Sequence, residues 1–231
     1  MATVVFSGNR IGDLLRRIEA STGAPTQAPT EQELHILKCA MRWFAARGFA
    51  ATTVRSIAAE AGVTGPMINY YFGSKEQLYR RLVEVVSIAM QERVARAAEG
   101  GGVFRERLGR VMHAYVDFAT ESPDAVGLFF GAAFGPSDGR PDVDIGAIRD
   151  LGQVALTSLL ADAVAGKELV LRPGYGARDL LDLCIAAIVH VLGRRLADGW
   201  MADAASAARM KSELDRMVLV FLDGIVASTE P

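Results

Sequence analysis

The octapeptide GPMINYYF, residues 65–72, carries an amide and two phenols on a segment short enough to enter a groove. Indexed at about 100° per residue, it sets Ile68 and Phe72 on one flank and turns Pro66, Met67, Asn69 and Tyr70 to the other. One flank can pack while the other presents contact groups. A helix of these eight residues is about 12 Å long at about 1.5 Å per residue, which suits a DNA major groove about 12 Å wide. Upstream lies a second short helical pattern, Val54 to Ala61, separated from the first by Gly62 and Val63. Two short helices joined by a tight glycine-containing turn, the second opened by the hydroxyl of Thr64, have the spacing of a helix-turn-helix.

The elements that would hold this reader follow from local punctuation. Thr30 with Glu33 reads as a capping box, and Leu34, Leu37, Met41 and Phe44 recur at helical spacing until Gly48. Thr53 can cap the helix from Val54, whose inward Ile57, Ala58 and Ala61 allow close approach of a neighbour. Pro66 falls in the first turn of its helix, where a missing N–H costs nothing, and Gly73 ends that helix. Ser74 with Gln77 opens a long helix to about Ala98, with Leu78, Leu82, Val85, Val86 and Ala89 as its buried stripe. Trp43 and Phe44 are read as core of the three-helix unit.

The triplet Gly100, Gly101 and Gly102 is the strongest break, and a joint is placed there. Beyond it, helical periodicity covers roughly 103–120, 124–134, 144–165, 177–198 and 206–228, and Glu168 to Arg172 is the single β-like scrap. The chain thus predicts an all-α fold of about nine helices. Residues 1–29 read as a tail with at most a helical turn or two around Ile11, Leu14, Leu15 and Ile18, ending in a Ser/Thr/Pro/Gly run.

Composition excludes whole classes. At 231 residues, 51% hydrophobic and 23% charged, the chain is neither disordered, collagenous nor a coiled-coil rod. Cys39 and Cys184 are too far apart for a metal-type spacing and too few for a disulfide framework, so both read as apolar fillers in a reducing compartment. No apolar run reaches the length of a membrane span, and the start lacks the parts of a signal peptide, so a cytoplasmic location is expected. The net charge of −2 is unevenly placed, with +1 over residues 1–29, +3 over 30–82 and −6 over 83–231. A cationic N-terminal end beside an acidic remainder is what a protein needs if only that end meets a polyanion.

Other constellations are weaker. His35, His113 and His190 lack partner ligands at metal spacing, and Asp138, Asp142 and Asp144 lack the rest of a calcium loop, so no metal and no cofactor is assigned. Gly127, Gly131 and Gly135 recur at helical spacing and read as close helix packing rather than a phosphate cradle, because no strand precedes them. No catalytic motif is present, and the chain is not expected to be an enzyme. Met112, Tyr115, Phe118, Phe129, Phe130 and Phe134 either line an apolar cavity, with Tyr115 and His190 as polar handles, or form ordinary core. If they line a cavity, its occupant is largely apolar.

The stretch GFAATTVRSIAAEAGVTGPMINYYFGSKEQLYRRL resembles the DNA-binding domain of the TetR/AcrR family of bacterial regulators. Its specific parts are Thr52-Thr53-Val54, Ile57-Ala58, Ala61-Gly62-Val63-Thr64 and Tyr70-Tyr71-Phe72, followed by Ser74-Lys75-Glu76 and Leu78. Asn69 stands where a tyrosine is frequent in the family and Gly65 where a basic residue is, as in the INYYFGSKE variant. The resemblance implies a helix-turn-helix domain over residues 30–86 and a helical ligand-binding and dimerisation domain over 87–231. It places Thr53, Arg55, Thr64, Tyr71 and Lys75 at phosphates and Gly65, Met67, Asn69 and Tyr70 at or near base edges. It further implies a homodimer, formed through the helices at 177–198 and 206–228, on a near-palindromic operator. The implied activity is repression, relieved when a small effector shifts the helix from Ser74 to Ala98 and moves the paired reading helices off their groove spacing. Two other classes fit less of the chain: a helical ligand-binding or enzyme-like bundle without specific DNA binding, and an architectural DNA binder without a ligand response.

Overall fold

The computed structural model describes residues 30–135, 141, 145–197 and 204–226. The tail, the aspartates at 138, 142 and 144, and the turn between the last two helices lie outside them. The described residues form nine helices: α1 Glu31–Ala51, α2 Val54–Ala61, α3 Gly65–Phe72, α4 Lys75–Ala98, α5 Phe104–Glu121, α6 Pro123–Phe134, α7 Ile145–Ala165, α8 Ala177–Ala197 and α9 Ala204–Ile225. No strand occurs among them; the β-like scrap amounts to one antiparallel bridge between Leu171 and Val226.

The chain divides into two compact units, the first made of Met1–Ala89 and Asp124–Ile148, the second of Met90–Pro123 and Arg149–Pro231. In the first unit the capping box at Thr30 is complete: Glu33 N–H donates to Thr30 Oγ1 at 3.2 Å, and Thr30 N–H donates to Glu33 Oε2 at 2.7 Å. Helix α1 runs three residues past its expected stop, but it is interrupted where the stop was placed, at Gly48 with φ 73° and ψ 174°. Only a residue without Cβ takes that conformation at low cost. The carbonyls around the break need other donors, and Thr52, fully buried, places its hydroxyl 2.7 Å from Gly48 O and 3.2 Å from Trp43 O.

Thr53 caps α2 in a reciprocal box with Ser56, at 3.0 and 3.1 Å. Gly62, at φ 64° and ψ 29°, ends α2 in the left-handed conformation that an αL helix terminus favours. Around these turns the core gathers Ile36, Leu37, Phe44, Ile57, Ile68, Phe72, Leu78 and Leu82, all buried. Phe44, Phe49 and Tyr79 add an aromatic trio with centroids 5.1 to 5.9 Å apart. Helix α6, remote in sequence, belongs to this unit as well. A Cβ on its Gly127 would stand 3.2 Å from Ala45 Cβ of α1, so this glycine lets two backbones approach.

In the second unit, α9 packs on α8 and α5, and α5 packs on α8. Leu108, Met112, Tyr115, Leu156, Leu160, Cys184, Val191 and Leu214 are buried there. Both cysteines are buried thiols, as their apolar-filler reading expects. Burial pushes the Cys184 thiol up to about 12. Half-exposed polar pairs join the helices: the ion pairs of Arg93 with Glu121 at 2.7 Å and Lys211 with Asp117 at 2.6 Å, and the hydrogen bond of His113 with Asp215 at 2.8 Å. Pairs of this kind each contribute about 0–1 kcal/mol, so the apolar interfaces hold the unit and the ions select its register. Arg110 closes the glycine triplet, donating to Gly100 O at 2.6 Å and Gly101 O at 2.9 Å.

Candidate nucleic-acid interface

Helix α3 has the two flanks its sequence predicts. Ile68 is wholly buried and Phe72 nearly so, whereas Pro66 and Asn69 are exposed and Tyr70 is 83% exposed. Met67 and Gly65 are half-buried beside them. Tyr71 is half-buried and meets Tyr70 edge to face, with centroids 5.3 Å apart. An exposed tyrosine supported by a second ring is a rigid apolar face with a hydroxyl at its tip, and nothing in its own unit covers it.

The residues flanking α3 differ in what their polar atoms are already doing. Arg55 and Thr64 are exposed. Thr64 has the extended backbone of an N-cap, but its hydroxyl makes no capping bond. The N–H groups of Met67 and Ile68 turn back to the Thr64 carbonyl at 3.1 and 3.4 Å, and Pro66 has no N–H. An anion at this helix start would therefore meet the Thr64 hydroxyl and the backbone N–H of Gly65. Thr53 is exposed, but its hydroxyl already accepts from Ser56 N–H.

At the start of α4 the Ser74 hydroxyl accepts from Gln77 N–H at 3.2 Å. Glu76 sits on the same turn, its carboxyl held below the usual range by its own backbone N–H, then by the Ser74 hydroxyl. Two acceptors thus occupy this helix start. Lys75, expected at a phosphate, is already engaged within the unit. Its ammonium donates to Phe49 O at 3.0 Å and Thr52 O at 2.9 Å, and lies 4.0 Å from the Phe49 ring centroid. Arg42 is also engaged, paired with Glu60 at 2.6 Å.

The expected pocket residues fall into two groups. Met112, Tyr115 and Phe118 are buried on α5 in the second unit, and burial raises the Tyr115 phenol well above its ordinary range. Phe129, Phe130 and Phe134 line α6 in the first unit, with adjacent ring centroids 6.4 and 5.5 Å apart. Phe134 is 65% exposed, and His190, on α8, is exposed. Among the described residues no cluster of His, Cys, Asp and Glu could hold a metal, and no helix is long and apolar enough to cross a membrane.

Sequence reasoning missed Thr52, Ser56 and the Phe49–Tyr79 platform. A hydroxyl three residues after Thr53 was a legible sign of the Ser56 box; the Thr52 role depends on the break at Gly48 and had no such sign.

A three-helix unit with a short second-position helix, anchored on one flank and bare on the other, is a helix-turn-helix DNA-binding unit. Residues 36–82 match the family model of the bacterial regulatory proteins, tetR family. Over this stretch the chain carries a DNA-binding domain of the kind found in that family. No curated protein matches the chain. Solved structures share its fold along most of its length. A protein of Shewanella sp. PV-4 assigned to the tetR family of transcription regulators is 18% identical, with 86% of this chain and 100% of that one covered and a TM-score of 0.65. The transcriptional regulator FadR from Bacillus subtilis, in complex with stearoyl-CoA, is 18% identical, with 80% and 97% covered and a TM-score of 0.63. A TetR family transcription regulator from Marinobacter aquaeolei VT8 is 20% identical, with 85% and 96% covered and a TM-score of 0.61. At these identities the likeness is one of fold.

Proposed function

We propose that this protein is a repressor that binds a near-palindromic operator as a homodimer and leaves it when a small, largely apolar effector binds. The observation that carries the DNA half is the bare flank of α3, Asn69 and Tyr70 beside Met67, opposite the buried Ile68 and Phe72. In the proposed complex Asn69 and Tyr70 meet base edges with Gly65 and Met67 close by, while Thr53, Arg55, Thr64 and Tyr71 fix register on phosphates. Asn69 is suited to a bidentate bond with an adenine edge.

Dimerisation is proposed through α8 and α9. Most of the α8 stripe, including Leu180, Cys184, Ala187 and Val191, is buried within one chain, so the surplus lies on α9, where Leu219 is 40% and Val220 69% exposed. A two-fold dimer suits a palindromic site, because each reader then meets an identical half-site. For the effector, the support is the apolar character of Met112 and Phe118, both buried on α5 within the second unit. The Bacillus subtilis neighbour holds stearoyl-CoA, whose long acyl chain is apolar though its CoA part is charged. Signal transfer is proposed along α4, which contributes residues to both units.

Selection of bound sequences from random DNA is expected to return a two-fold symmetric site, and light scattering at micromolar concentration a dimer. No preferred sequence would favour an architectural binder, and no salt-dependent affinity a bundle without DNA binding; either outcome rejects this reading. Arg55→Ala is expected to weaken operator and random DNA alike and to lower the slope of log K against log salt by about 0.9, one phosphate's worth. An unchanged slope would remove Arg55 from the phosphate contacts.

A further inference from the structure

The sequence-based placement of Lys75 and its observed partners call for two different roles. The C-terminal end of α1, just before the cap of α2 at Thr53, presents carbonyls without a donor further along the helix, and Phe49 O accepts along the backbone only from Thr52 N–H at 3.3 Å. Lys75 comes from the far side of the reader, three positions after Phe72 in sequence, and donates to Phe49 O at 3.0 Å and Thr52 O at 2.9 Å. The Phe49 ring lies under its ammonium at 4.0 Å and is itself wedged against Phe44 and Tyr79. The lysine is half-buried, and two of its three N–H donors are taken. Charge-assisted bonds of this sort are about twice as strong as neutral ones and become stronger away from water.

We infer that Lys75 is a positioning residue: a staple joining the end of α1, the start of α2 and the start of α4, which sets the tilt at which α3 presents its bare flank. It rests on the DNA-binding reading for its consequence, but not for its geometry. A residue that fixes tilt acts on base edges, where angles matter, and little on the diffuse attraction of phosphates. A phosphate contact would act on both equally.

Two measurements on the full-length protein separate these roles. The chain has four lysines, so the side-chain ammonium of Lys75 can be assigned by nitrogen-15 NMR in the wild-type protein without any substitution. The staple predicts slow exchange of that ammonium with water before DNA is added and an unchanged signal when operator is bound. Fast exchange in the free protein, or a large shift on operator addition, overturns it. The second measurement is a salt titration of Lys75→Met, which keeps the alkyl stem over Phe49. Operator affinity is expected to fall at least about tenfold, the worth of one displaced base contact, with random-DNA affinity and the salt slope unchanged. A slope lowered by about 0.9, with equal losses on both DNAs, overturns the staple in favour of a phosphate contact. If the wild type shows no operator preference, the DNA-binding reading fails, and the ammonium measurement still decides the staple; it does so equally if Lys75→Met fails to fold.

Discussion

Ile68→Ala is expected to cost the first unit about 2–5 kcal/mol, the usual range for truncating a branched aliphatic side chain in a core. Ile68 is wholly buried on the inner flank of α3, among helices whose own anchors, Ile57, Leu78 and Leu82, are equally enclosed. The short α3 has few other holds: Phe72 is its only other buried residue. Small units have total stabilities of about 5–15 kcal/mol, so the loss is a large fraction of what keeps the reader in place. Trp43 fluorescence during denaturant unfolding, in a Trp200→Phe background, reads this unit alone. A midpoint unchanged from the parent would mean that Ile68 does not anchor the helix.

Asn69→Ala, one position along, is expected to do the opposite. The residue is exposed, so stability should stay within about 0.5 kcal/mol. Operator affinity should fall by about 1–3 kcal/mol, roughly five- to a hundredfold, because a bidentate bond to a base edge is lost. Affinity for random DNA should stay within about twofold, since phosphate attraction supplies it. Competition binding with labelled operator against both DNAs measures the ratio; parallel losses would exclude Asn69 from base reading. Neighbouring substitutions would then separate along the two flanks of one helix, one acting on folding and the other on recognition.

These flanks were legible because a periodic pattern carries its own geometry: once Gly62 and Gly73 bound the segment, its angular phase sorts Ile68 and Phe72 from Asn69 and Tyr70. Gly48 was legible as a stop, and the chain obeys it locally before completing another turn. The target of the Lys75 ammonium was not legible. Its acceptors lie 26 and 23 residues away, among the last carbonyls of α1 that have no donor further along the helix. A flexible, four-carbon cation can be assigned to a phosphate or a carbonyl only once the fold has placed both. The surplus on α9 was also mixed with residues used inside the chain: Leu222 and Ile225 share its stripe with Leu219 and Val220, yet are buried. Periodicity records which face is apolar and not which neighbour covers it.

The discontinuity of the first unit bears on how the molecule can be taken apart. The glycine triplet at residues 100–102 invites proteolysis, but the chain returns after it to contribute Asp124–Ile148 to the same body as Ala45. Scission there would sever one covalent link without freeing a self-sufficient reading head, because the N-terminal piece would leave behind Val126 and Leu128, which it needs to close its core. The two fragments would co-elute as a nicked whole, held together by the interdigitation that the uncut chain had already made.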